Sequence, residues 1–322
     1  MMIVENGLEK TIKVSVCVVT YNQKCYIREC LESLINQDVN FNYEIIVGDD
    51  ASTDGTADIV KEYAAKYPEI IVPVLHRKNM GAVANMVAVY RLAKGGYIAH
   101  MDGDDFALPG KLRKQVLKLD ENLGCFICSH DAIVVDNLSQ KLSSKISRYK
   151  ESVNTLDDLY KRLPFFTHST KMFRNDASSS YYDTLSNESI DIEVHVEQAK
   201  KGNIYHIDEC LGGYRKFVGV SSSGSKVNNL IPQAIGRIFN DALSVNRSGL
   251  SIEELKKVYA NAIFNFSYQS AFFGRRSECR KYAIESIAIK LVSVYQVGFL
   301  ALTFIPYVTT FIARTRNRFK ND

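Results

Sequence analysis

Two clusters of acidic residues stand directly after apolar segments of the chain. Asp49 and Asp50 follow YEIIVG, and Asp102, Asp104 and Asp105 follow YIAHM. Three carboxylates within four residues repel one another, so a folded protein is expected to supply a cation. Oxygen ligands of this kind suit a hard divalent ion that bridges to phosphate. The alternative is that the acids are water-exposed turn and cap residues. The apolar strand before the second cluster, and the glycine within it, favour a metal site there.

The apolar segments that carry these acids alternate with helical patterns over the first hundred residues. Strands are predicted at 12–19, 43–47, 70–75 and 97–101, and helical spacing follows them, as at 27–35 and 82–93. Such alternation predicts a three-layer α/β fold with a mostly parallel sheet. Because the carboxyl ends of parallel strands meet at one edge, the two acidic clusters should share one crevice. Pro73 favours an edge position or a bulge for the third strand.

The first predicted strand ends abruptly at Thr20-Tyr21-Asn22. A strand-to-helix corner of this kind is where open α/β sheets bind their ligands. The alternative is that Asn22 only caps the helix that follows. Further along, Asp54 and Thr56 in ASTDGT are predicted to be turn and N-cap residues.

Composition excludes several classes of protein. The 322 residues are 46% hydrophobic and 24% charged with a net charge of +4, which indicates a folded protein and gives no reason to expect nucleic-acid binding. The seven cysteines are scattered, as is typical of a reducing compartment. Cys125 and Cys128 have metal-site spacing, but GCFICSHDAIVVD favours a buried strand. Neither GxGxxG after the first strand nor GxxxxGK[ST] occurs, which disfavours a dinucleotide fold or a P-loop.

The chain changes character towards its C-terminus. Residues 136–160 are polar and predict a surface loop, 188–201 predict a helix, and long helical patterns begin after Ser225. We therefore predict a catalytic domain over 1–223 and a helical C-terminal region over 224–322. Residues 1–12 carry two glutamates and no long apolar core, so no signal peptide is expected and the catalytic domain should be cytoplasmic.

Seven motifs occur in an order that is informative as a set. They are VSVCVVTYN (14–22), IIVGDDASTDGT (45–56), NMGAVAN (79–85), GGYIAHMDGDD (95–105), PGKLRKQ (109–115), DIEVHVEQAKKG (191–202) and ECLGGYRKF (209–217). Together they resemble the family-2 glycosyltransferases of the GT-A fold over about two thirds of the chain. The resemblance implies an inverting, metal-dependent transfer of a sugar from a nucleotide-diphosphate donor, with a UDP-sugar expected.

The resemblance also implies a role for each matching residue on the donor side. Thr20 and Tyr21 would line the nucleotide pocket, and Asp50 would accept a hydrogen bond from the base. Asn79, Gly81 and Asn85 match a stretch near the donor. The alternative for Asn85 is that it is an ordinary helix residue.

Metal binding and catalysis are assigned in the same way. Asp102 would contact the ribose or the water shell of the metal, and Asp104 would bind Mn²⁺ or Mg²⁺ across the diphosphate, with Asp105 as a further candidate. Asp191 aligns with the catalytic base, although an acid at a helix start is also favourable electrostatics. Glu193 is the alternative base if the register is shifted.

Arg215 would stabilise the leaving diphosphate, the alternative being a surface salt bridge. Two departures from the family pattern bear on these roles. Phe217 stands where many relatives have a histidine near the metal, and Ile190-Asp191 replaces the usual Glu-Asp pair. Metal ligation would then rest on Asp104, phosphates and water, and one acid remains at the position of the base.

Three other functions are considered. A sugar nucleotidyltransferase needs a glycine-rich basic loop after the first strand, which TYNQKCYIREC lacks. A non-catalytic nucleotide-sugar-binding module would not need all four of its matched acids: Asp50, Asp102, Asp104 and Asp191. A processive synthase would carry several membrane spans and a Gln/Arg-rich motif, neither of which is found.

The resemblance suggests cell-surface polysaccharide synthesis with a saccharide or lipid-linked acceptor. Residues 291–313 are 23 uncharged residues followed by four basic ones, long enough to cross a bilayer. A single span would place those charges outside, against the positive-inside tendency. We expect peripheral or re-entrant attachment to the inner face of the cell membrane, the alternative being a helix packed on its own domain.

Overall fold

The computed structural model describes residues 11–143, 150–216, 218, 229–305 and 307–321. Its strands are β1 (Val14–Thr20), β2 (Tyr43–Asp49), β3 (Ile71–Leu75), β4 (Tyr97–Asp102), β5 (Phe106–Ala107), β6 (Cys125–Val135), β7 (Lys141–Ser143), β8 (Ser152–Asn154), β9 (Met172–Arg174) and β10 (Asn203–Arg215). Its α-helices are α1 (Ile27–Ile35), α2 (Thr56–Lys66), α3 (Ala82–Leu92), α4 (Lys111–Glu121), α5 (Leu156–Lys161), α6 (Asp191–Ala199), α7 (Leu230–Ser244), α8 (Ile252–Phe272), α9 (Arg276–Ile289), α10 (Val294–Leu302) and α11 (Val308–Asn321).

The described strands form one sheet in the order β3-β2-β1-β4-β9-β6-β10-β5, with β7 beside β6 and β8 beside β10. The first four strands are parallel, as are β6 and β10. β9 is antiparallel to both of its neighbours, β4 and β6, and β5 is antiparallel to β10. The prediction of a mostly parallel α/β sheet is confirmed, and Pro73 lies on the edge strand β3 as expected.

Burial on both faces of the sheet explains why the central strands β1, β2 and β4 are continuous apolar runs. Val14, Val16 and Val18 of β1 pack into a core that helices α1 and α4 cover with Leu31 and Leu112. Cys125 and Cys128 are buried in β6, so the CxxC segment is a core strand as predicted. This core holds β1 between β2 and β4. The acidic loops that follow β2 and β4 therefore begin at the same edge of the sheet.

The residues divide into two compact units. The first unit comprises Met1–Thr155, Pro164–Asp191 and Glu197–Gly219; the second comprises Leu156–Leu163, Ile192–Val196 and Val220–Asp322. The boundary predicted at 223/224 lies outside the described residues, as does Phe217. Residues 136–160, predicted as a loop, contain two short strands, β7 and β8, and the start of α5 in their described part.

The second unit has its own aromatic core. The rings of Phe239 (α7) and Tyr259 (α8) stack at 5.1 Å between centroids. Phe264 of α8 packs on Phe299 of α10 at 5.5 Å, and Ala313 of α11 joins the same cluster. The apolar stretch 291–313 is thus divided between two helices. Within the described ranges we find no helix with both the length and the apolar character that crossing a bilayer requires.

Candidate active site

The ends of β1, β2 and β4 meet at one edge of the sheet. Thr20 pairs in register with Asp49, and Val19 pairs with Asp102. Beyond the strands, the Asp50 N–H donates to the Thr20 carbonyl at 3.0 Å and the Gly103 N–H donates to the Val19 carbonyl at 2.8 Å. The two acidic clusters therefore leave the sheet side by side.

Asn22 connects two of the loops at this edge. Its backbone has φ 51°, in the left-handed region that asparagine tolerates. Its Oδ1 accepts from the Thr53 N–H at 2.9 Å, and its own N–H donates to Ser52 Oγ at 2.9 Å. Helix α1 begins only at Ile27, so the alternative that Asn22 caps this helix is wrong.

The remaining residues of the corner differ in exposure. Thr20 is buried and donates its hydroxyl to Gln23 Oε1 at 2.8 Å, whereas Tyr21 is 45% exposed. Asp54 Oδ1 accepts from the Thr56 N–H at 3.0 Å where α2 begins, which confirms its role as a turn residue. Tyr21 is therefore the side chain of this corner that is open to a ligand.

Asp50 orders the loop that carries the NMG motif. Its two carboxylate oxygens accept from the N–H groups of Met80 at 2.7 Å and Gly81 at 2.9 Å. Asn79 is exposed, and its Oδ1 also accepts from Gly81 at 3.2 Å. Gly81 has φ +93°, and a Cβ there would lie 2.4 Å from Asn187 Oδ1. Each carboxylate oxygen has a further lone pair, so a base contact by Asp50 stays compatible with this arrangement.

Asn85 is buried behind the site. Its Nδ2 donates to the Gly48 carbonyl at 2.8 Å, and its Oδ1 lies 3.1 Å from His76 Nε2. A Cβ on Gly48 would lie 2.2 Å from Asn85 Oδ1, which shows how closely α3 approaches the end of β2. These contacts favour the ordinary structural alternative for Asn85, and its donor-side role stays a prediction.

The Asp102–Asp105 loop is tightly folded. A Cβ on Gly103 would lie 2.6 Å from Gln23 Oε1 and 2.8 Å from Thr20 Oγ1, so only glycine fits. The Asp105 N–H donates to the Asp102 carbonyl at 3.0 Å. The loop therefore presents its carboxylates on a backbone held against the end of β1.

The pKa values of the three loop carboxyls differ widely. Burial, with the charge of Asp102, raises the pKa of Asp104 to about 6. Burial, with Asp104 and Asp102, raises the pKa of Asp105 well above its usual value. Partial burial also opposes ionisation of Asp102, but the hydrogen bonds from His100 and Ser169 outweigh this desolvation and lower the pKa of Asp102. A cation bound beside this loop would favour the charged form of all three carboxyls.

Arg215 is buried and holds the acidic loop from behind. Its N–H donates to Asp105 Oδ1 at 2.8 Å, and its Nε donates to the Asp104 carbonyl at 2.8 Å. Its Nη2 donates to Glu29 Oε2 at 2.6 Å, and its guanidinium lies 4.6 Å from the centroid of the Tyr26 ring. Arg215 does form an ion pair, with Glu29, but the alternative of a surface salt bridge is wrong because the guanidinium is almost fully buried. Contact with the diphosphate stays a prediction.

Asp191 begins α6 and lies close to His168 of the first unit. Ligand atoms of Asp191 and His168 are within 4.8 Å of each other. The His168 ring lies 3.7 Å, centroid to centroid, from His100, whose Nε2 is 3.2 Å from Asp102 Oδ1. His168 is thus near the predicted base, and its ring neighbour His100 is near Asp102.

Two lysines are fully buried in the first unit. Lys111 Nζ lies 2.6 Å from the Ser169 carbonyl and 3.0 Å from His130 Nε2. Lys171 Nζ donates to Gln198 Oε1 at 3.1 Å. Burial lowers the pKa of each lysine to about 7, against the opposing attraction of nearby acids. The acids near Lys171 include Asp191 and Asp102, so the charge of this lysine interacts with both carboxylates.

Lys171 gives the free energy of unfolding a defined pH dependence. Its pKa is about 7 in the folded protein and 10.5 when unfolded, so between these values the unfolded chain binds more protons. The free energy of unfolding of the wild type relative to Lys171→Met should therefore rise from pH 7 to 9, by at most about 1.4 kcal/mol per pH unit, and be flat below pH 6. Urea titrations at pH 6, 7, 8 and 9 measure it.

The exposed Lys61 supplies a matched control. Lys61→Met makes the same chemical change on the surface of α2, where the charge is solvated, and should leave the pH profile parallel to that of the wild type. If Lys171→Met also runs parallel to the wild type, Lys171 is not held near neutrality by burial.

Several residues of the site are not apparent from motif spacing. Gln23 bonds both Thr20 and the Asp104 carboxylate, and Ser169 bonds Asp102. His100 had one available signal, since a histidine inside an apolar strand two residues before an acid shares that acid's face. Ser169 had none, because it comes from a distant segment.

Similarity to a known protein family decides the classification. The model "Glycosyl transferase family 2" matches residues 15–181, which is more than half of the chain. The chain belongs to glycosyl transferase family 2. It is 35% identical over 173 residues to the putative glycosyltransferase EpsE of Bacillus subtilis, covering 54% of this chain and 59% of EpsE. The chain therefore spans less than two thirds of that relative's length.

Solved structures agree on the fold of this family-2 chain. It is similar to S. aureus TarS 1-349 in complex with UDP-GlcNAc, with TM-score 0.67, 18% identity, and 95% and 92% of the two chains covered. It is also similar to the mannosyltransferase PcManGT of Pyrobaculum calidifontis in complex with GDP-Man and Mn²⁺, with TM-score 0.53, 17% identity, and 96% and 88% covered. The fold is thus of the GT-A type, as the sequence motifs implied.

Proposed function

We propose that the chain is an inverting, metal-dependent glycosyltransferase that moves a sugar from a nucleotide-diphosphate donor, with a UDP-sugar expected, to a saccharide or lipid-linked acceptor. The observation that carries this proposal is the convergence of Thr20, Asp50 and the Asp102–Asp105 loop at one edge of the sheet. Family membership supports it, as do the UDP-GlcNAc and the GDP-Man bound in the two similar structures.

The residues of the acidic loop fit a divalent cation. Asp102 and Asp104 offer hard oxygen ligands, which Mn²⁺ and Mg²⁺ prefer. The pKa of Asp104, raised by burial and by Asp102, shows a cluster that a cation would stabilise. Asp104 would be the direct ligand, and when bound the ion would neutralise charge on the leaving diphosphate.

The other residues act on the donor and the acceptor. Tyr21 and Thr20 would line the nucleotide pocket, and Asp50, fixed by the Met80–Gly81 loop, would accept a hydrogen bond from the base. Asp191 would remove the proton of the attacking acceptor hydroxyl as the bond to the anomeric carbon forms and the nucleoside diphosphate leaves. The result is inversion at that carbon.

A donor screen tests the proposal directly. UDP-, GDP- and dTDP-sugars are incubated with the protein and Mn²⁺ or Mg²⁺, and release of the nucleoside diphosphate is measured with and without EDTA. We expect metal-dependent hydrolysis of one donor class. Release of pyrophosphate from a nucleoside triphosphate and a sugar phosphate would instead show a nucleotidyltransferase, and binding without turnover would show a non-catalytic module.

An exposed apolar surface supports membrane attachment. In the second unit Val294, Tyr295, Phe304, Tyr307 and Phe311 are at least half exposed. Between residues 286 and 321 the sequence has five basic residues and no acidic one. Apolar side chains next to basic ones suit the headgroup boundary of an anionic bilayer. We propose that this surface docks on the inner face of the cell membrane, beside a lipid-linked acceptor of cell-surface polysaccharide synthesis.

Replacing three of these side chains tests the attachment. The variant Phe304→Ser/Tyr307→Ser/Phe311→Ser should bind vesicles of phosphatidylglycerol and phosphatidylethanolamine at least about tenfold more weakly, because less apolar area enters the bilayer. Co-sedimentation of the full chain measures it. Truncation after Lys290 is a poorer test, since it removes Phe299 from the core of the second unit.

A matched control removes exposed apolar residues elsewhere. Leu123, Leu138 and Val153 are 79%, 71% and 48% exposed in the first unit. Changing all three to serine should leave vesicle binding unchanged. Equal binding by both triple variants, or a wild type that stays with the supernatant at low salt, would contradict membrane docking.

A further inference from the structure

His100 is a buried polar residue to which the proposed chemistry gives no task. It lies on β4 two residues before Asp102 and is 1% exposed. Residues two apart on a strand point to the same face, so the imidazole lies beneath the carboxylate. A buried imidazole needs partners for both ring nitrogens.

Both nitrogens of His100 have a partner. Nε2 lies 3.2 Å from Asp102 Oδ1, and Nδ1 lies 2.9 Å from the Tyr90 hydroxyl. An ionised carboxylate can only accept, so Nε2 carries the hydrogen. In the neutral imidazole Nδ1 then accepts from Tyr90 O–H. The three residues form a directed chain of donors from Tyr90 through His100 to Asp102.

The carboxylate of Asp102 is held on its other oxygen as well. Ser169 Oγ donates to Oδ2 at 2.9 Å and accepts from the Asp102 N–H at 3.0 Å. Tyr90 is itself fixed by edge contacts with Phe173 and Tyr182, at 5.4 and 5.7 Å between centroids. Each oxygen of Asp102 thus has a hydrogen bond from the protein, while the side chain stays 37% exposed.

We propose that His100 is a positioning residue that, aligned by Tyr90, sets the orientation in which Asp102 meets the donor ribose or the water shell of the metal. The inference rests on the proposed function for the role of Asp102 but on geometry alone for the chain of hydrogen bonds. Partners behind a functional carboxylate reduce its freedom to rotate, so its lone pairs point to the ligand before binding.

Substitutions along the chain test this role. His100→Phe keeps the ring but no donor, and should weaken binding of UDP or GDP with Mn²⁺ by roughly 10- to 100-fold. His100→Gln retains an N–H near Nε2 and should restore affinity to within a few-fold of wild type. Tyr90→Phe removes only the hydroxyl and should weaken binding by roughly tenfold. Calorimetric titration of the full chain measures all three.

Tyr182 provides the matched control. It is also buried and touches Tyr90, but its hydroxyl donates to Asp176 Oδ1 at 2.6 Å, away from Asp102. Tyr182→Phe should lower the melting temperature about as much as Tyr90→Phe and leave nucleotide affinity unchanged. If the two variants lose affinity equally, or neither does, His100 and Tyr90 do not position Asp102.

A spectroscopic readout does not depend on any ligand. Nitrogen-15 correlation spectra of the histidine rings at pH 7.5 should show His100 with its hydrogen on Nε2, and Tyr90→Phe should shift the Nδ1 resonance. A hydrogen on Nδ1 with no change in Tyr90→Phe overturns the inference. If the chain of hydrogen bonds is seen but the wild type binds no nucleoside diphosphate, the proposed function fails while the geometry stands.

Discussion

Asp191→Asn should lower the rate of sugar transfer by about 10²- to 10⁴-fold while affinity for the donor stays within a few-fold of wild type. The amide keeps the shape of the carboxylate but cannot take the proton from the acceptor hydroxyl. Asp191 lies at the first turn of α6, with its carboxylate close to His168. Initial rates and calorimetric donor binding, measured on one preparation, separate a base from a donor-binding residue.

Glu193 is the matched control for this prediction. Its two carboxylate oxygens accept from Arg237 Nε at 2.7 Å and Nη2 at 2.9 Å, a bidentate ion pair within the second unit. A carboxylate held in this way is a poor proton acceptor. Glu193→Gln should therefore retain most of the transfer rate. Loss of transfer in Glu193→Gln, with none in Asp191→Asn, would show that the catalytic base is Glu193 and not Asp191.

The positions of the strands in the first hundred residues could be predicted because each strand is marked by its own residues and not by a distant pairing partner. The four predicted strands begin and end within two residues of β1 to β4, since each is an apolar run bounded by polar or turn-forming residues. The parallel order then follows from the intervening helices. That is sufficient to bring Asp50 and Asp104 to one edge.

The second half of the sheet depends on pairing between distant segments. β9 is only Met172–Arg174, yet it lies between β4 and β6 and is antiparallel to both. Three residues carry too little pattern to predict a central strand. The same distance in sequence hides Ser169, which reaches Asp102 because it lies in the turn just before β9.

Whether a polar atom is available to a ligand is also invisible to a motif. Asn85 and Arg215 match the family pattern, but in the structure Asn85 bonds Gly48, and Arg215 bonds the Asp104 carbonyl and Glu29. The motif records which residue type is needed at a position. It does not record whether the residue holds the ligand or the loop that holds the ligand.

Asp104→Asn should abolish the dependence of donor binding on a divalent ion. Asp104 is buried, with a pKa raised to about 6, so at pH 7.5 it is ionised in a place where the negative charge is costly. Binding of Mn²⁺ would remove that cost, and the amide offers neither charge nor a strong ligand. Calorimetric titration of the nucleoside diphosphate with and without Mn²⁺ should show a gain of about tenfold or more from the metal in the wild type and none in the variant.

Asp105→Asn separates a metal ligand from a structural acid of the same loop. Burial and the charges of Asp104 and Asp102 raise the pKa of Asp105 well above its usual value, so its ionised form is disfavoured. An amide of the same shape can still accept from the Arg215 N–H through Oδ1. The metal-dependent gain in affinity should therefore survive in Asp105→Asn. If Asp104→Asn keeps the gain and Asp105→Asn loses it, the metal ligand is Asp105 and not Asp104.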